Sequence, residues 1–293
     1  MKILLLGHKG MLGSDLAAQF KYRHEVIGMD KEEIDITRAS ECRKAITDVA
    51  PQLVINAAAY TNVDACETAK EECFAVNAEA VKNIAEACRD RNIPVVHYST
   101  DYIFDGNGSR PYTEDDPANP INSYGASKLT GEHYLRQLTD DHLIIRTAWL
   151  YGAKGKNFVG AILDRARTTG KLTVVDDQTG SPTCTRDLAA ATELLVDKNA
   201  RGIFHVTNRG FCTWYDFACK IIKEAHLDTV EILPIKTSDL QRAAKRPAYS
   251  VLGMQKFMAV TGKTMQPWQL AFTDYFQFIT SRTCCSDVHA APR

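Results

Sequence analysis

No stretch of this chain stays apolar long enough to cross a bilayer. The first hydrophobic run, Ile3 to Leu6, is also too short for a signal peptide, and no later run approaches the roughly 20 residues of a spanning helix. A cytoplasmic protein is therefore expected. Charge of one sign is missing too. Lys and Arg number 35 against 36 Asp and Glu, a net charge of −1, so neither nucleic acid nor an anionic membrane is expected as partner. Cysteine is not scarce at nine, but the Cys-x-x-Cys spacing of metal and redox motifs does not occur. Cys42, Cys66, Cys73, Cys88 and Cys219 fall in helical patterns, which reads as reduced structural thiols. Cys284 and Cys285 adjoin in a polar tail, 282–293, expected to be mobile. What remains is 293 residues, 45% hydrophobic and 24% charged, enough for one large or two moderate globular domains.

The first half alternates short apolar runs with helical patterns. Strands are expected at Lys2–Leu6, Glu25–Met29, Leu53–Asn56, Pro94–Ser99 and His142–Arg146. Helices are expected near Met11–Tyr22, Arg38–Val49, Phe74–Arg91 and Tyr124–Leu138. The strands are continuously apolar, as in a parallel sheet covered on both faces. That pattern predicts an α/β fold with a doubly wound, Rossmann-type parallel sheet over 1–147, its ligands at the carboxyl ends of the strands. Beyond Thr147 loops lengthen and elements shorten, which predicts a smaller substrate-binding domain over 148–281 with segments returning to the first. Helices are expected there near Phe158–Thr168, Thr185–Val196, Trp214–Ala225 and Pro267–Ser281, and a strand near Gly202–Val206.

Candidate chemistry sits at the strand ends. Gly7, Gly10 and Gly13, spaced G-x-x-G-x-x-G around Met11 and Leu12, follow the first strand and open a helix. This layout lets a backbone turn receive a pyrophosphate at a helix N-terminus. Asp30 closes the second strand, where a carboxylate can bond an adenosine ribose hydroxyl and repel a 2′-phosphate, which favours NADH. Lys31 beside it softens that preference, and Asp35 and Ile36 can flank the adenine. Ala57, Ala58 and Ala59 after Asn56 allow the backbone to pass close to a nicotinamide ribose, or equally a helix to pack tightly. Tyr124 and Lys128 are four apart on one helix face, where an ammonium favours the phenolate of a neighbouring tyrosine. Thr100, ending the fourth strand, can hold a carbonyl oxygen or simply bond its own backbone. A hydride carrier and a tuned proton donor together suggest carbonyl reduction.

These phrases, with Ser99–Gly106, Arg146–Gly152, Asp177–Thr183 and Arg246-Pro247, give the chain a specific likeness over about residues 1–280. It resembles the extended short-chain dehydrogenase/reductases and, among them, the dTDP-4-dehydrorhamnose reductase family. The resemblance implies reduction of the 4-keto group of dTDP-4-dehydro-L-rhamnose to dTDP-L-rhamnose with NADH or NADPH. It makes Tyr124 the proton donor, Lys128 its partner and Thr100 the carbonyl anchor, with Asp101, Tyr102 and Trp149 lining the sugar pocket. Tyr102 stands where related dehydratases carry a Glu, which argues against water elimination. Some members bind a divalent metal at a dimer interface, so Mg²⁺ and a homodimer are admitted, with Asp15 and Asp187 the candidate ligands. Two alternatives share the architecture: a nucleotide-sugar epimerase, and a dinucleotide-binding regulatory subunit of methionine adenosyltransferase.

Overall fold

A computed structural model describes residues 1–286, with side chains as far as Ser281. The expected mobile tail thus lies mostly outside the described residues, as do the side chains of Cys284 and Cys285. The first half runs β1 (Lys2–Leu6), α1 (Met11–Phe20), β2 (Glu25–Met29), α2 (Ala39–Val49), β3 (Leu53–Asn56), α3 (Ala65–Thr68), α4 (Lys70–Phe74), α5 (Ala80–Arg89), β4 (Val95–Thr100), α6 (Ser123–Leu138) and β5 (His142–Thr147). Next come β6 (Leu150–Tyr151), α7 (Phe158–Thr169), β7 (Lys171–Val175), β8 (Thr179–Gly180), β9 (Thr183–Cys184) and α8 (Thr185–Asp197). The chain closes with β10 (Gly202–His205), β11 (Cys212–Thr213), α9 (Trp214–Glu224), β12 (Glu231–Ile235), α10 (Gln255–Thr261) and α11 (Trp268–Ser286). Among the described residues, no helix is long and apolar enough to cross a membrane.

Six strands form the central sheet in the order β2-β1-β3-β4-β5-β10, every neighbour parallel. Side chains alternate between its two covered faces. Ile3, Leu5, Ile55, Val96 and Ile145 pack into one cluster with Leu16 of α1 and Leu188 of α8. Leu4, Leu6, Val54, Val95 and Ile144 pack into the other with Ile46 of α2 and Ile84 of α5. Burial on both sides explains why these strands read as unbroken apolar runs. From β1 the chain crosses outward to β2 and then returns to β3 on the other side, so the loops after β1 and β3 part and leave a crevice.

A third cluster holds Tyr151, Ile162, Leu172, Phe217 and Phe272 between α7, α9, α11 and β7. Its parallel β7–β12 pair was not expected. Pro234 lies inside β12, and a proline is tolerated there because the two-stranded ribbon leaves an edge free. Only part of the helix expected from Phe74 is regular: Ala75–Glu79 is a wider π-helical turn. It turns Asn77 inward, where its amide oxygen accepts from the Tyr60 N–H (2.8 Å) and its NH₂ donates to the Tyr60 carbonyl (2.9 Å).

One ion pair joins α6 to β5 in the interior. The Arg146 guanidinium donates to Glu132 through Nε (3.0 Å) and its second arm (2.7 Å), and both side chains are buried. Truncating one partner strands the other charge away from water. Glu132→Ala should therefore lower unfolding stability by about 3–5 kcal/mol in urea titration. A loss below about 1 kcal/mol would mean water takes over the guanidinium.

Candidate active site

Every expected cofactor residue except the buried Gly13 lines one of two adjoining cavities above the carboxyl ends of the strands. The turn after β1 is shaped by glycine. Gly7 has φ +75°, and a Cβ there would meet the Ala58 nitrogen at 2.7 Å; one on Gly13 would lie 2.0 Å from the Gly7 carbonyl oxygen. Alanine 58 and the start of α1 can close on this turn only because both positions lack side chains. No side chain caps α1, whose N-cap is Gly10, so its first-turn N–H groups remain available to an anion. This uncapped end beside a glycine turn fits a dinucleotide pyrophosphate.

A groove of about 660 Å³ runs from Gly7 past Asp30, Asp35, Ile36 and Ala57–Ala59. Asp30 is fixed at the end of β2, accepting from the Lys9 N–H (3.0 Å) and the Lys31 N–H (2.9 Å). The Lys9 ammonium is drawn away to Glu32 (2.9 Å) and Glu33 (2.7 Å). The rim where an adenosine ribose would lie is thus acidic.

The second cavity, about 510 Å³, gathers Met11, Leu12 and Ala59 with Thr100, Asp101, Tyr102, Tyr124, Lys128 and Trp149. All six expected catalytic and sugar-pocket residues meet there. Asn122 caps α6 by accepting from the Gly125 N–H (2.8 Å), which sets the turn carrying Tyr124. The Tyr124 phenol shares the cavity with the Thr100 hydroxyl, which donates to Asp101 Oδ1 (3.0 Å) and accepts from the Tyr102 N–H (3.2 Å). Thr100 therefore both bonds its own backbone and faces the cavity. Trp149, at φ +49°, stacks flat on Trp214 with ring centres 3.5 Å apart.

The electrostatics differ from the sequence expectation in one respect. Burial, reinforced by the Asp101 charge, raises the Tyr124 phenol above its ordinary value. Lys128 does not offset this, because its own amine is desolvated, down to about 8, and its Nζ points to His97 Nε2 at 3.4 Å. Burial likewise lifts the Asp101 carboxyl to about 6.

The Mg²⁺ candidates gain no support. Asp15 accepts from the Thr185 hydroxyl, and Asp187 from the amides of Asn208 (2.6 Å) and Gln266 (3.0 Å). No metal-holding group of His, Cys, Asp or Glu occurs among the described residues.

Three features escaped the sequence reading. His97 lies under Lys128, where it reads as one more strand residue. Trp214, 65 residues beyond Trp149 in the sequence, pairs with it. A neighbouring pocket of about 370 Å³ holds Arg165, Arg242 and Arg246 with Gln178, and shares Tyr102 and Trp214 with the cavity. Arg246 is held there by Asp64 through two bonds of 2.6 and 2.7 Å. Only the Asp177–Thr183 and Arg246-Pro247 phrases hinted at it.

Comparison with known proteins fits this geometry. The chain is 40% identical over 277 residues to the Bacillus subtilis spore coat polysaccharide biosynthesis protein SpsK, covering 94% of this chain and 97% of that one. A crystal structure of a dTDP-4-dehydrorhamnose reductase from Clostridium acetobutylicum superposes with a TM-score of 0.93 at 39% identity, covering 96% of this chain and all (100%) of that one. The Bacillus anthracis dTDP-4-dehydrorhamnose reductase, solved in complex with NADP, gives a TM-score of 0.92 at 33% identity, covering 94% of this chain and 99% of that one. The family model described as the RmlD substrate binding domain matches residues 1–281, and the chain belongs to that family.

Proposed function

We propose that the protein is a cytoplasmic enzyme that reduces the 4-keto group of dTDP-4-dehydro-L-rhamnose to dTDP-L-rhamnose with NADH or NADPH. The observation that carries this reading is the pair of hydroxyls, Tyr124 and Thr100, meeting in a cavity continuous with a glycine-turn groove. The reductase names of its relatives support the choice of substrate. The epimerase and regulatory-subunit alternatives have no such support.

The chain's own residues supply binding and the proton. The Gly7–Gly13 turn and the α1 N-terminus would hold the pyrophosphate, and Asp30 a ribose hydroxyl. The bound nicotinamide supplies the hydride. As the carbonyl carbon takes that hydride, its oxygen needs a proton, and Tyr124 is suited to give one because burial keeps its phenol neutral. Thr100 would hold the same oxygen in line. The three arginines beside Tyr102 and Trp214 offer a diphosphate site in the pocket adjoining this chemistry, while the Trp149–Trp214 stack gives the sugar an apolar wall.

The direct assay is NADH or NADPH oxidation with the keto sugar nucleotide. Tyr124→Phe should keep cofactor affinity and lose about 10²–10⁴-fold in kcat; a near-native rate would remove the phenol from the mechanism. Asp30→Ala should weaken NADH binding more than NADPH binding, since it removes both a ribose acceptor and a charge that opposes a 2′-phosphate. Unchanged dissociation constants for both cofactors would show that this carboxylate does not touch the ribose.

A further inference from the structure

The loop between β6 and α7, residues 152–157, belongs to the second half of the chain yet rests on the first turn of α1. Both its ends are pinned. Asn157 caps α7 by accepting from the Gly160 N–H (3.1 Å), and its NH₂ donates to the Gly152 carbonyl (2.9 Å). That carbonyl also accepts from the Tyr275 hydroxyl (3.0 Å). Glycine sets how close the loop comes. A Cβ on Gly152 would meet Met11 Cγ at 3.0 Å, and one on Gly155, at φ +74°, would lie 4.0 Å from the Met11 backbone nitrogen. Met11 opens α1, so Gly155 stands beside the uncapped N–H groups of that helix, and having no side chain it leaves them open.

Lys156 comes next. It is exposed, and it lines the same cavity as Gly10, Met11 and Leu12. The cations of that cavity wall are Lys128, which is buried one helical turn from Tyr124, and Lys156. Lys9, on the glycine turn itself, is already held by Glu32 and Glu33. Among the described residues Lys156 has no hydrogen-bond or ion-pair partner. A pyrophosphate carries a full charge on each phosphate, more than the partial positive end of one helix can balance.

We propose that Lys156 is a binding residue for the cofactor's pyrophosphate, a counter-charge that the second half of the chain brings to the α1 N-terminus. The inference rests on the dinucleotide reading of the glycine turn. The sugar nucleotide's own diphosphate has Arg165, Arg242 and Arg246 in the neighbouring pocket, whose wall includes none of Gly10, Met11 and Leu12. The cofactor is then gripped from both halves, by backbone amides on one side and an ammonium on the other.

Equilibrium binding tests this without the sugar substrate. Lys156→Met should weaken NADH and ADP-ribose alike, by about tenfold, because the two ligands share the pyrophosphate. Lys156→Arg keeps the charge and should stay near wild type. Lys154→Met removes a charge of the same loop that is absent from the cavity wall, and should change neither constant. Added salt should weaken ADP-ribose binding less in Lys156→Met than in wild type, since one screened contact is already gone. dTDP offers the same diphosphate chemistry from the substrate side, and its affinity should be unaltered by Lys156→Met. Unchanged NADH and ADP-ribose constants in that variant, an equal loss in Lys154→Met, or a comparable loss for dTDP would overturn the proposal. Wild-type protein that binds neither NADH nor ADP-ribose would overturn the dinucleotide reading and this inference with it.

Discussion

Everything in this molecule follows from sealing a parallel sheet on both faces. Six strands that share one direction put all their carboxyl ends on one edge, and helices cover the rest. The loops that leave the strands at that edge line the two adjoining cavities. Gly7, Asp30, Asn56 and Thr100 are the residues at or just past those ends, so four loops far apart in sequence converge on one crevice.

The same sealing governs the chemistry. A phenol, a carboxyl and an amine crowd a site with little water, and burial pushes each toward its neutral form: Tyr124 up, Asp101 up to about 6, Lys128 down to about 8. Charge is kept where it has a partner. Arg146 has Glu132 in the interior, and Arg246 has Asp64 in the neighbouring arginine pocket. A site of neutral donors next to anchored cations suits a substrate whose reacting group is uncharged and whose tail is a diphosphate.

Legibility followed the range of the interactions. Strands β1, β2 and β3 were readable to the residue, because continuous apolar runs between turns leave no other solution. The glycine turn and the Tyr124–Lys128 spacing were readable because each is a local requirement. What could not be read depends on contacts made across the chain. The π-turn at Ala75–Glu79 exists for Asn77 to reach Tyr60, seventeen residues away. The β7–β12 pairing joins segments 60 residues apart at Lys171 and Glu231, and Pro234 disguises one of them. His97 gave no signal at all, since a histidine inside a strand declares neither its partner nor its tautomer. The Tyr124–Lys128 spacing gave their face of the helix correctly and the electrostatics wrongly, because periodicity says nothing about how dry a site is.

The route of the second half also sets how this scaffold can diversify. After building β6 to β9, the chain sends α8 back onto α1 and lays β10 beside β5. The layer proposed to hold the substrate is thereby stitched into the layer proposed to hold the cofactor. Such a protein cannot exchange its sugar-binding part as a module, because cutting there would unravel an edge of the central sheet. New sugars must be accommodated by point changes around Trp149, Trp214 and the arginine pocket, on a frame inherited whole.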